Sequence, residues 1–482
     1  MNNYILITGA TGFLGSRIAE AFIRDTNYDI AVLVRARNPA DAAKRLSNVW
    51  WDTPLLKNSL GTRVTVLRGD VAFPGLGLDA VAWEDLAQRV THIIHSAADI
   101  RLSLTADEIR KVNVQGTRNV LALARQAQRL HEFARFAHVS TAYVAGNREG
   151  PISEDSLSNA LGFANAYELS KYEAEIVVKE AKEELPVSVF RPGLIVGDSN
   201  TGEIRTFNTL YYPLRLYLTG KLKVLLARPT IPVNLIPVDY VADAIVRLTF
   251  DPRAQGKNFH ITAARDQLPS ASEVFDAVRM WASENLHVEL ARPLFVPLPG
   301  FLAGILARAA GLSGVKVLLP YFQRSPVFLR SNTDELVGAY RLDWKKFLPR
   351  LLEYAAATGF LHKSERTVHE QILFRLNQKS RKVIYGDITG DSILRRSGGV
   401  ARQEMIRAGR ALGRSHRQEP SASRCITPAR RMKSREVFPI AEPVLYSLAS
   451  RNFSKAWRIG GTAELLCPSS HASCRCRNAE KS

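Results

Sequence analysis

The stretch YILITGATGFLG, at residues 4–15, decides the fold of this chain. Its first residues are an apolar run that predicts a buried strand, and apolar residues after the glycines continue at helical spacing. In a turn between a strand and a helix, each glycine has a physical reason. Gly9 permits the tight turn, Gly12 lets the backbone approach a pyrophosphate, and Gly15 allows the helix to pack close to the sheet. The stretch therefore predicts a bound dinucleotide at the helix N-terminus, with a glycine turn that binds no ligand as the alternative.

The sequence beyond this turn continues to alternate short apolar runs with amphipathic stretches up to about residue 265. Strands are predicted at residues 4–8, 30–35, 64–68, 92–96, 136–140 and 187–191. Helices are predicted at Leu14–Arg24, Asp41–Val49, Ala106–Gln128 and Tyr167–Leu185. This order is typical of a parallel sheet covered by helices on both faces, so the predicted fold class is α/β with a doubly wound sheet.

Prolines accumulate from Thr206 to about Lys363, which predicts a smaller mixed segment on the substrate side of the sheet. The apolar stretch Phe301–Leu319 predicts a helix that is buried or faces a partner, which allows a homodimer, with peripheral membrane contact as the alternative. We expect a nucleotide-binding domain with part of the substrate site at 1–265, a substrate-side segment at 266–365, a linker or domain remnant at 366–412, and a basic, disordered tail at 413–482.

The basic charge of the chain is concentrated near its C-terminus. The net charge is +19, and residues 381–482 contain 20 Lys and Arg against 8 Asp and Glu, which leaves 45 against 38 in residues 1–380. The body is therefore only mildly basic, as expected for a protein that binds anionic cofactors and substrates. Basic residues are not interleaved with stacking aromatic residues, so we expect no nucleic-acid partner.

Cysteine usage and hydropathy indicate the compartment. All four cysteines lie at or after Cys425, so the body needs neither disulfides nor thiolate chemistry. The sequence has no run of about 18 apolar residues and no signal-peptide pattern at its N-terminus. These features predict a cytoplasmic protein without an integral membrane span.

The candidate metal ligands do not have the spacing of a site. Cys474 and Cys476 are not a CxxC pair, and no second pair matches them. His92 and His95 are three residues apart on a predicted strand and therefore face opposite sides. We expect no bound metal.

The residues at the end of the second predicted strand indicate whether the dinucleotide is NAD or NADP. A carboxylate at this place holds the adenosine 2′-hydroxyl of NAD, but the sequence reads LVRAR at 33–37 and has no carboxylate before Asp41. An arginine there favours the additional 2′-phosphate of NADP. We predict Arg35 as the main contact and Arg37 or Arg45 as a helper. A solvated arginine beside a ribose without that phosphate is the alternative.

A phenol and an ammonium lie four residues apart in YELSK at 167–171, and hence on one face of a predicted helix. The charge of Lys171 is expected to lower the pKa of Tyr167. That suits proton delivery to a carbonyl group, because an unperturbed phenol has a pKa of about 10. The motif follows a predicted strand that ends in Ser140 and Thr141, and this context indicates a reductase site.

These motifs resemble those of the extended short-chain dehydrogenases/reductases, and within that superfamily of the thioester reductase and fatty acyl-CoA reductase branch. The stretches that carry the resemblance are TGATGFLG (8–15), VRARNPADAAKRL (34–46), RGDVAFPGLGLD (68–79), HSAADI (95–100), VNVQGTRNVL (112–121), HVSTAYVAG (138–146), YELSK (167–171), FRPGLIVG (190–197) and NLIPVDYVADAIV (234–246). Sugar epimerases share most of these stretches. They usually lack the arginine after the second strand and the stretch GDVAFPGLGL at 69–78. The resemblance covers about the first 265 residues and implies a Rossmann fold.

The resemblance also implies functional residues. The implied catalytic residues are Thr141, Tyr167 and Lys171, with Ser140 as the alternative to Thr141. The implied NADP(H) site consists of Gly9, Thr11, Gly12, Phe13, Leu14, Gly15, Arg35, Arg45, Asp70, Val71, Ala97, Ala98, Asn113, Lys171, Pro192 and Gly193. Asn113 is expected to open a helix near the active site, with a hydrogen bond to the neighbouring strand as its alternative role.

The implied activity is NADPH-dependent reduction of an acyl-CoA or acyl-carrier thioester to an aldehyde, and to an alcohol if a second hydride is added. Two alternatives remain at this point. One is an extended reductase, epimerase or dehydratase that acts on a nucleotide-sugar or another carbonyl compound. The other is a non-catalytic NADP-binding regulatory protein, which would not need Tyr167. Residues 385–413 also resemble the start of an acyl-activating adenylate-forming enzyme, and that resemblance stops near Gly413.

Overall fold

The computed structural model describes residues 4–50, 53–102, 104–207, 210–297, 321, 323–338 and 341–361. The predictions for Phe301–Leu319, for the stretch at 385–413 and for the tail at 413–482 lie outside these residues. The four-part division of the chain stays a prediction. Within the described ranges, no helix combines the length and the apolar composition that a membrane crossing needs.

Seven parallel strands form the central sheet, and six smaller strands pair outside it. The strands are β1 (Tyr4–Thr8), β2 (Asp29–Val34), β3 (Val64–Arg68), β4 (His92–His95), β5 (Arg135–Val139), β6 (Gly150–Ile152), β7 (Val187–Pro192), β8 (Leu194–Val196), β9 (Val224–Leu225), β10 (Leu235–Pro237), β11 (Asn258–Ile261), β12 (Leu294–Phe295) and β13 (Pro326–Phe328). The central sheet has the order β11-β7-β5-β4-β1-β2-β3, with every neighbouring pair parallel. The predicted fold class is confirmed, and β11 joins the six strands that the sequence predicted.

Helices connect most of the strands of the central sheet. They are α1 (Phe13–Asp25), α2 (Pro39–Val49), α3 (Pro54–Asn58), α4 (Ala80–Arg89), α5 (Ala106–Asn113), α6 (Gln115–Leu130), α7 (Ala166–Ala181), α8 (Tyr211–Leu218), α9 (Val238–Phe250), α10 (Ala271–Leu286), α11 (Ser331–Val337) and α12 (Trp344–Ala357). Single 3₁₀ turns lie at Pro74–Gly77, Ala142–Ala145, Pro252–Ala254 and Arg265–Gln267.

The predicted single helix at Ala106–Gln128 is two helices, α5 and α6. Asn113 ends the first of them, so the expectation that it opens a helix is wrong. At the junction the hydroxyl of Thr117 donates to the carbonyl oxygen of Asn113 at 2.7 Å. A threonine that bonds back to the preceding turn in this way bends a helix, which accounts for the break.

Alternate residues of the central strands pack into two separate cores, because successive side chains of a strand point to opposite faces. On β1, Ile5 and Ile7 belong to the core that includes α1 and α9. Tyr4 and Leu6 belong to the core that includes α4, α6 and α7. Both faces of the sheet are therefore covered, and its ligand-binding edge lies at the carboxyl ends of the strands.

The order of the central sheet reverses between β1 and β4, because β2 and β3 continue on one side and β5, β7 and β11 on the other. In open α/β sheets, ligands bind outside the carboxyl ends of the strands at such a reversal. The glycine turn follows β1 at this point, and Ser96 follows β4 beside it. The fold thus places the predicted dinucleotide motif where a ligand crevice is expected.

A buried carboxylate fixes α11 to the central sheet. Glu154 accepts hydrogen bonds from the backbone nitrogens of His260 at 2.8 Å and Asn332 at 2.6 Å, and from the hydroxyl of Thr333 at 2.7 Å. Burial raises the pKa of Glu154, whereas these donors act in the opposite direction. Glu154 therefore links the C-terminal part of the described chain to β11.

Candidate active site

The turn at Gly9, Gly12 and Gly15 leaves no room for side chains. Gly9 has a φ of +81°, and a methyl group on it would lie 2.7 Å from the backbone nitrogen of Ala97. A methyl group on Gly15 would press into the carbonyl oxygen of Gly9. Gly12 precedes α1 in an extended conformation, with no side chain capping the helix. The first amides of α1 can therefore receive phosphate oxygens, so the turn fits a dinucleotide.

Two buried side chains support this turn through hydrogen bonds. The indole nitrogen of Trp50, which is fully buried, donates to the carbonyl oxygen of Ala10 at 3.1 Å. On the neighbouring strand, a ring nitrogen of His95 lies 2.8 Å from the hydroxyl of Thr8, which also accepts from the backbone nitrogen of Ala97 at 3.3 Å. Burial lowers the pKa of His95 to about 3, so its ring is neutral at physiological pH. The glycine turn is thus preorganised rather than flexible.

The three predicted catalytic residues meet at the carboxyl ends of β5 and the N-terminal half of α7. Thr141 begins the 3₁₀ turn after β5, and its hydroxyl is near enough to the phenol of Tyr167 to affect the pKa of that phenol. The ammonium of Lys171 donates to the carbonyl oxygen of Val139 at 2.8 Å. The structure therefore brings a hydroxyl, a phenol and an ammonium to one place.

The pKa of Tyr167 shifts in the opposite direction to the one that the sequence suggested. Burial and the neighbouring charge of Glu168 raise it to about 12, and the nearby hydroxyl of Thr141 only partly offsets them. Burial also lowers the pKa of Lys171 to about 8, against the attraction of Glu175. At neutral pH the phenol is therefore protonated and the lysine is mostly charged, which suits a proton donor.

The structure gives Ser140 and Thr141 different surroundings. Thr141 lies beside Tyr167, and its hydroxyl accepts a hydrogen bond from the backbone nitrogen of Tyr143 at 3.3 Å. The hydroxyl of Ser140 is buried and has no hydrogen-bond partner among the described residues. These contacts favour Thr141 as the hydroxyl that works with Tyr167.

Asn113 supports the site from behind. Its side chain accepts from the backbone nitrogen of Asp99 at 2.7 Å, and its amide donates to the carbonyl oxygen of Asp99 and to the hydroxyl of Ser170, both at 2.9 Å. It is almost fully buried. These bonds link the loop after β4 to α7. This is a structural role of the kind expected from the sequence as the alternative for Asn113.

One cleft of about 780 Å³ contains most of the predicted site. The predicted residues that line it are Gly9, Thr11, Gly12, Phe13, Leu14, Gly15, Ala98, Thr141, Tyr167, Lys171, Pro192 and Gly193. Asp70, Val71, Ala97 and Asn113 lie outside its lining. Of these, Ala97 contacts the turn itself, and Asp70 and Val71 follow β3, where Asp70 accepts from the backbone nitrogen of Ala72 at 3.0 Å.

A basic recess adjoins this cleft and shares Val49 with it. Its lining includes the predicted Arg35 and Arg45, with Arg37, Lys44 and one carboxylate, Asp41. The guanidinium of Arg45 donates to the carbonyl oxygen of Arg35 at 2.8 Å, which holds the two residues together. The recess can therefore hold an anionic group at the end of β2.

The lining that the sequence did not predict is mostly apolar. It includes Ile100, Leu102, Tyr143, Ile204, Phe207, Tyr321 and Tyr354. Phe207 stacks on Phe360 with ring centroids 3.9 Å apart, and Tyr143 meets Tyr321 edge-on at 4.9 Å. These residues come from separate segments without a common motif; of them, Ile100 and Tyr143 lay within stretches that the sequence singled out.

The histidines near the site are not arranged as metal ligands. His138 is fully buried between His95, Lys171 and Arg191, and burial lowers its pKa. Among the residues that the structure describes, no group of three or more His, Cys, Asp or Glu is placed to hold a metal ion.

Comparison with known proteins identifies this arrangement. Residues 7–245, about half of the chain, match the family named male sterility protein. These residues belong to the male sterility protein family. The assignment to the extended short-chain dehydrogenases/reductases, in the thioester reductase and fatty acyl-CoA reductase branch, is confirmed. Residues 7–245 are therefore an NAD(P)-binding domain of this family.

The relatives of residues 7–245 differ widely in length. The L-2-aminoadipate reductase large subunit of Eremothecium gossypii is 32% identical over 266 residues, which are 51% of this chain and 19% of that protein. Fatty acyl-CoA reductase wat of Drosophila melanogaster is 26% identical over 278 residues, which are 51% of this chain and 54% of that protein. The matched region therefore spans between a fifth and about half of these relatives.

A solved structure extends the likeness beyond the family region. The terminal R domain from the myxalamid PKS-NRPS biosynthetic pathway superposes with a TM-score of 0.64 at 27% identity. The superposition covers 76% of this chain and 93% of that domain. The superposition therefore covers more of the chain than the family match at residues 7–245 does.

Proposed function

We propose that this chain is an NADPH-dependent reductase of acyl thioesters, with Thr141, Tyr167 and Lys171 as its catalytic residues. The observation that carries the proposal is the single cleft. One continuous space of about 780 Å³ is lined by the glycine turn, by the Thr141, Tyr167 and Lys171 group, and by a mostly apolar wall. A dinucleotide and an apolar acyl group can therefore reach the same hydroxyl and phenol.

The cofactor site would be built from three parts of the chain. The amides of the turn at Gly9–Gly15 would hold the pyrophosphate, and Arg35 and Arg45 the 2′-phosphate of the adenosine ribose. Pro192 and Gly193, which line the cleft after β7, would lie beside the nicotinamide, and Lys171 would hold its ribose. When bound, the reduced nicotinamide supplies the hydride.

The protein's own groups would then complete the reduction. Thr141 would hold the thioester carbonyl oxygen, and the carbonyl carbon would accept the hydride. The phenol of Tyr167, protonated at neutral pH with a pKa of about 12, would donate its proton to the oxygen as negative charge develops. Collapse of the resulting hemithioacetal would break the carbon–sulfur bond and release a thiol and an aldehyde. A second round on the aldehyde would give an alcohol.

The substrate would be an acyl thioester of CoA or of an acyl-carrier protein. The relatives named above include a fatty acyl-CoA reductase and an aminoadipate reductase. In this chain the wall with Tyr143, Phe207 and Tyr321 favours an apolar acyl group, because it offers a large aromatic surface for such a group to pack against.

The proposal is tested by consumption of NADPH with the full chain. Acyl-CoA esters of several chain lengths are expected to oxidise NADPH with release of free thiol, whereas nucleotide-sugars are expected to give no turnover. Thiol release is measured beside NADPH absorbance, because it reports cleavage of the carbon–sulfur bond. Turnover of a nucleotide-sugar together with none of any thioester would overturn the proposal.

The preference for NADPH is expected to depend on the basic recess. Replacing Arg35 and Arg45 by alanine removes charged hydrogen bonds worth about 1.5–3 kcal/mol, and should therefore lower kcat/KM for NADPH about 10- to 100-fold. The value for NADH should change little, because NADH lacks the 2′-phosphate. Steady-state kinetics with both cofactors measure the ratio. Arg129→Ala, on the surface of α6, is the control for loss of an arginine outside the recess, and an equal loss with both cofactors would contradict the assignment of the recess.

A further inference from the structure

Glu168, which follows Tyr167 in α7, has a fully buried carboxylate with a partner far along the chain. The guanidinium of Arg324 donates to its two oxygens at 2.9 and 3.2 Å. Arg324 is itself largely buried, with 11% of its side chain exposed. A buried charge pair of this kind is costly to break, because removing one partner leaves the other charge in an apolar setting.

The same guanidinium also holds the turn that carries Thr141. Arg324 donates to the carbonyl oxygen of Gly146, which ends the 3₁₀ turn that Thr141 begins. One side chain thus bonds both the helix that carries Tyr167 and the turn that carries Thr141. Arg324 thereby links the two elements that carry the hydroxyl groups of Thr141 and Tyr167.

A second contact ties this segment to the start of α7. Asn165 caps the helix by accepting from the backbone nitrogen of Glu168 at 2.9 Å, and its amide donates to the hydroxyl of Tyr321 at 3.0 Å. The ring of Tyr321 lines the cleft and lies 5.5 Å from the guanidinium of Arg324. The residues that wall the cleft and those that brace α7 are therefore next to each other in the chain.

We propose that Arg324 is a positioning residue, which sets the distance between Thr141 and Tyr167 by bonding Glu168 and Gly146 at once. This inference rests on the proposed catalytic roles of Thr141 and Tyr167. Arg324 is not among the residues that line the cleft. Its loss should therefore reduce the chemical step and leave cofactor binding intact, since small misplacements of catalytic groups cost large factors in rate.

The test uses the full chain with acyl-CoA and NADPH. Arg324→Met alone leaves Glu168 buried and unpaired and can unfold the protein, so the decisive variant is the double change Glu168→Gln with Arg324→Met. The double variant should fold, keep the Kd for NADPH within about twofold, and lose about tenfold in kcat, which corresponds to a small misplacement of the hydroxyls. Arg324→Lys, which retains the charge, should recover part of kcat.

A matched control lies on the same helix. Arg110 bonds Glu173 of α7 through two contacts at 2.7 and 2.6 Å, but it ties the helix to α5 instead. The double change Glu173→Gln with Arg110→Met should leave kcat unchanged. A folded Glu168→Gln/Arg324→Met protein with normal kcat, or an equal loss in the control, would overturn the inference. Normal turnover by Tyr167→Phe would instead contradict the proposed function itself.

Discussion

Replacing Tyr167 by phenylalanine is expected to lower kcat for thioester reduction about 10²- to 10⁴-fold, the range that a positioned general acid contributes. The change removes one oxygen from the cleft and leaves the ring in place. The hydroxyl of Thr141 keeps its bond from the backbone nitrogen of Tyr143, and the amides of the glycine turn and the ammonium of Lys171 remain. The Kd for NADPH, measured by fluorescence titration, should therefore stay close to that of the unaltered protein.

Tyr172→Phe is the matched control for this result. Tyr172 lies on the same helix and packs against Phe163 with ring centroids 5.0 Å apart. Its hydroxyl has no place in the proposed chemistry, so kcat should not change. Normal turnover by Tyr167→Phe, or an equal loss in Tyr172→Phe, would contradict the role given to Tyr167.

Replacing Gly15 by alanine should abolish productive cofactor binding. The added methyl group would press into the carbonyl oxygen and carbon of Gly9, which are backbone atoms that cannot rotate away. Either α1 or the turn must then shift, at a cost of about 1–3 kcal/mol in stability. The amides at the start of α1 would no longer face the pyrophosphate, so we expect the Kd for NADPH to rise by about 100-fold or more.

Gly61→Ala separates this effect from the general cost of losing a glycine. Gly61 has a φ of +78°, and a methyl group on it would have no neighbour within 4 Å. The backbone strain there should cost about 1–2 kcal/mol in the free energy of unfolding, which is similar to the cost at Gly15. Denaturant unfolding measures both. If Gly61→Ala weakens NADPH binding as much as Gly15→Ala does, the steric account is wrong.

The parts of the molecule that the sequence predicted well are those set by local pattern. The strand, turn and helix around Gly9–Gly15 follow from the spacing of apolar and glycine residues, and the order of the sheet follows from repetition of that unit. Arg35 and Arg45 share a recess because one ends a strand and the other lies on the next helix. The turn at Gly9–Gly15 and the pair of Arg35 and Arg45 each connect residues no more than ten positions apart.

The parts that the sequence missed depend on burial and on distant partners. Proximity of Lys171 suggested a lowered pKa for Tyr167, but the sequence does not reveal how much water reaches the phenol, and burial decides the sign. Glu168 and Arg324 are 156 residues apart, and no local pattern pairs them. The helix at Ala106–Gln128 was misjudged because its break depends on one side-chain bond from Thr117.

The buried carboxylate of Glu154 has a consequence for how the chain is synthesised. Its partners Asn332 and Thr333 lie 178 and 179 residues later. In a growing chain, the carboxylate of Glu154 therefore stays in water until these two residues have been synthesised. The glycine turn and β1–β7 leave the ribosome well before that, and β11 follows at Asn258–Ile261. A nascent chain is therefore able to assemble most of its nucleotide crevice early, whereas the part of the cleft that Tyr321 and Tyr354 line is completed last.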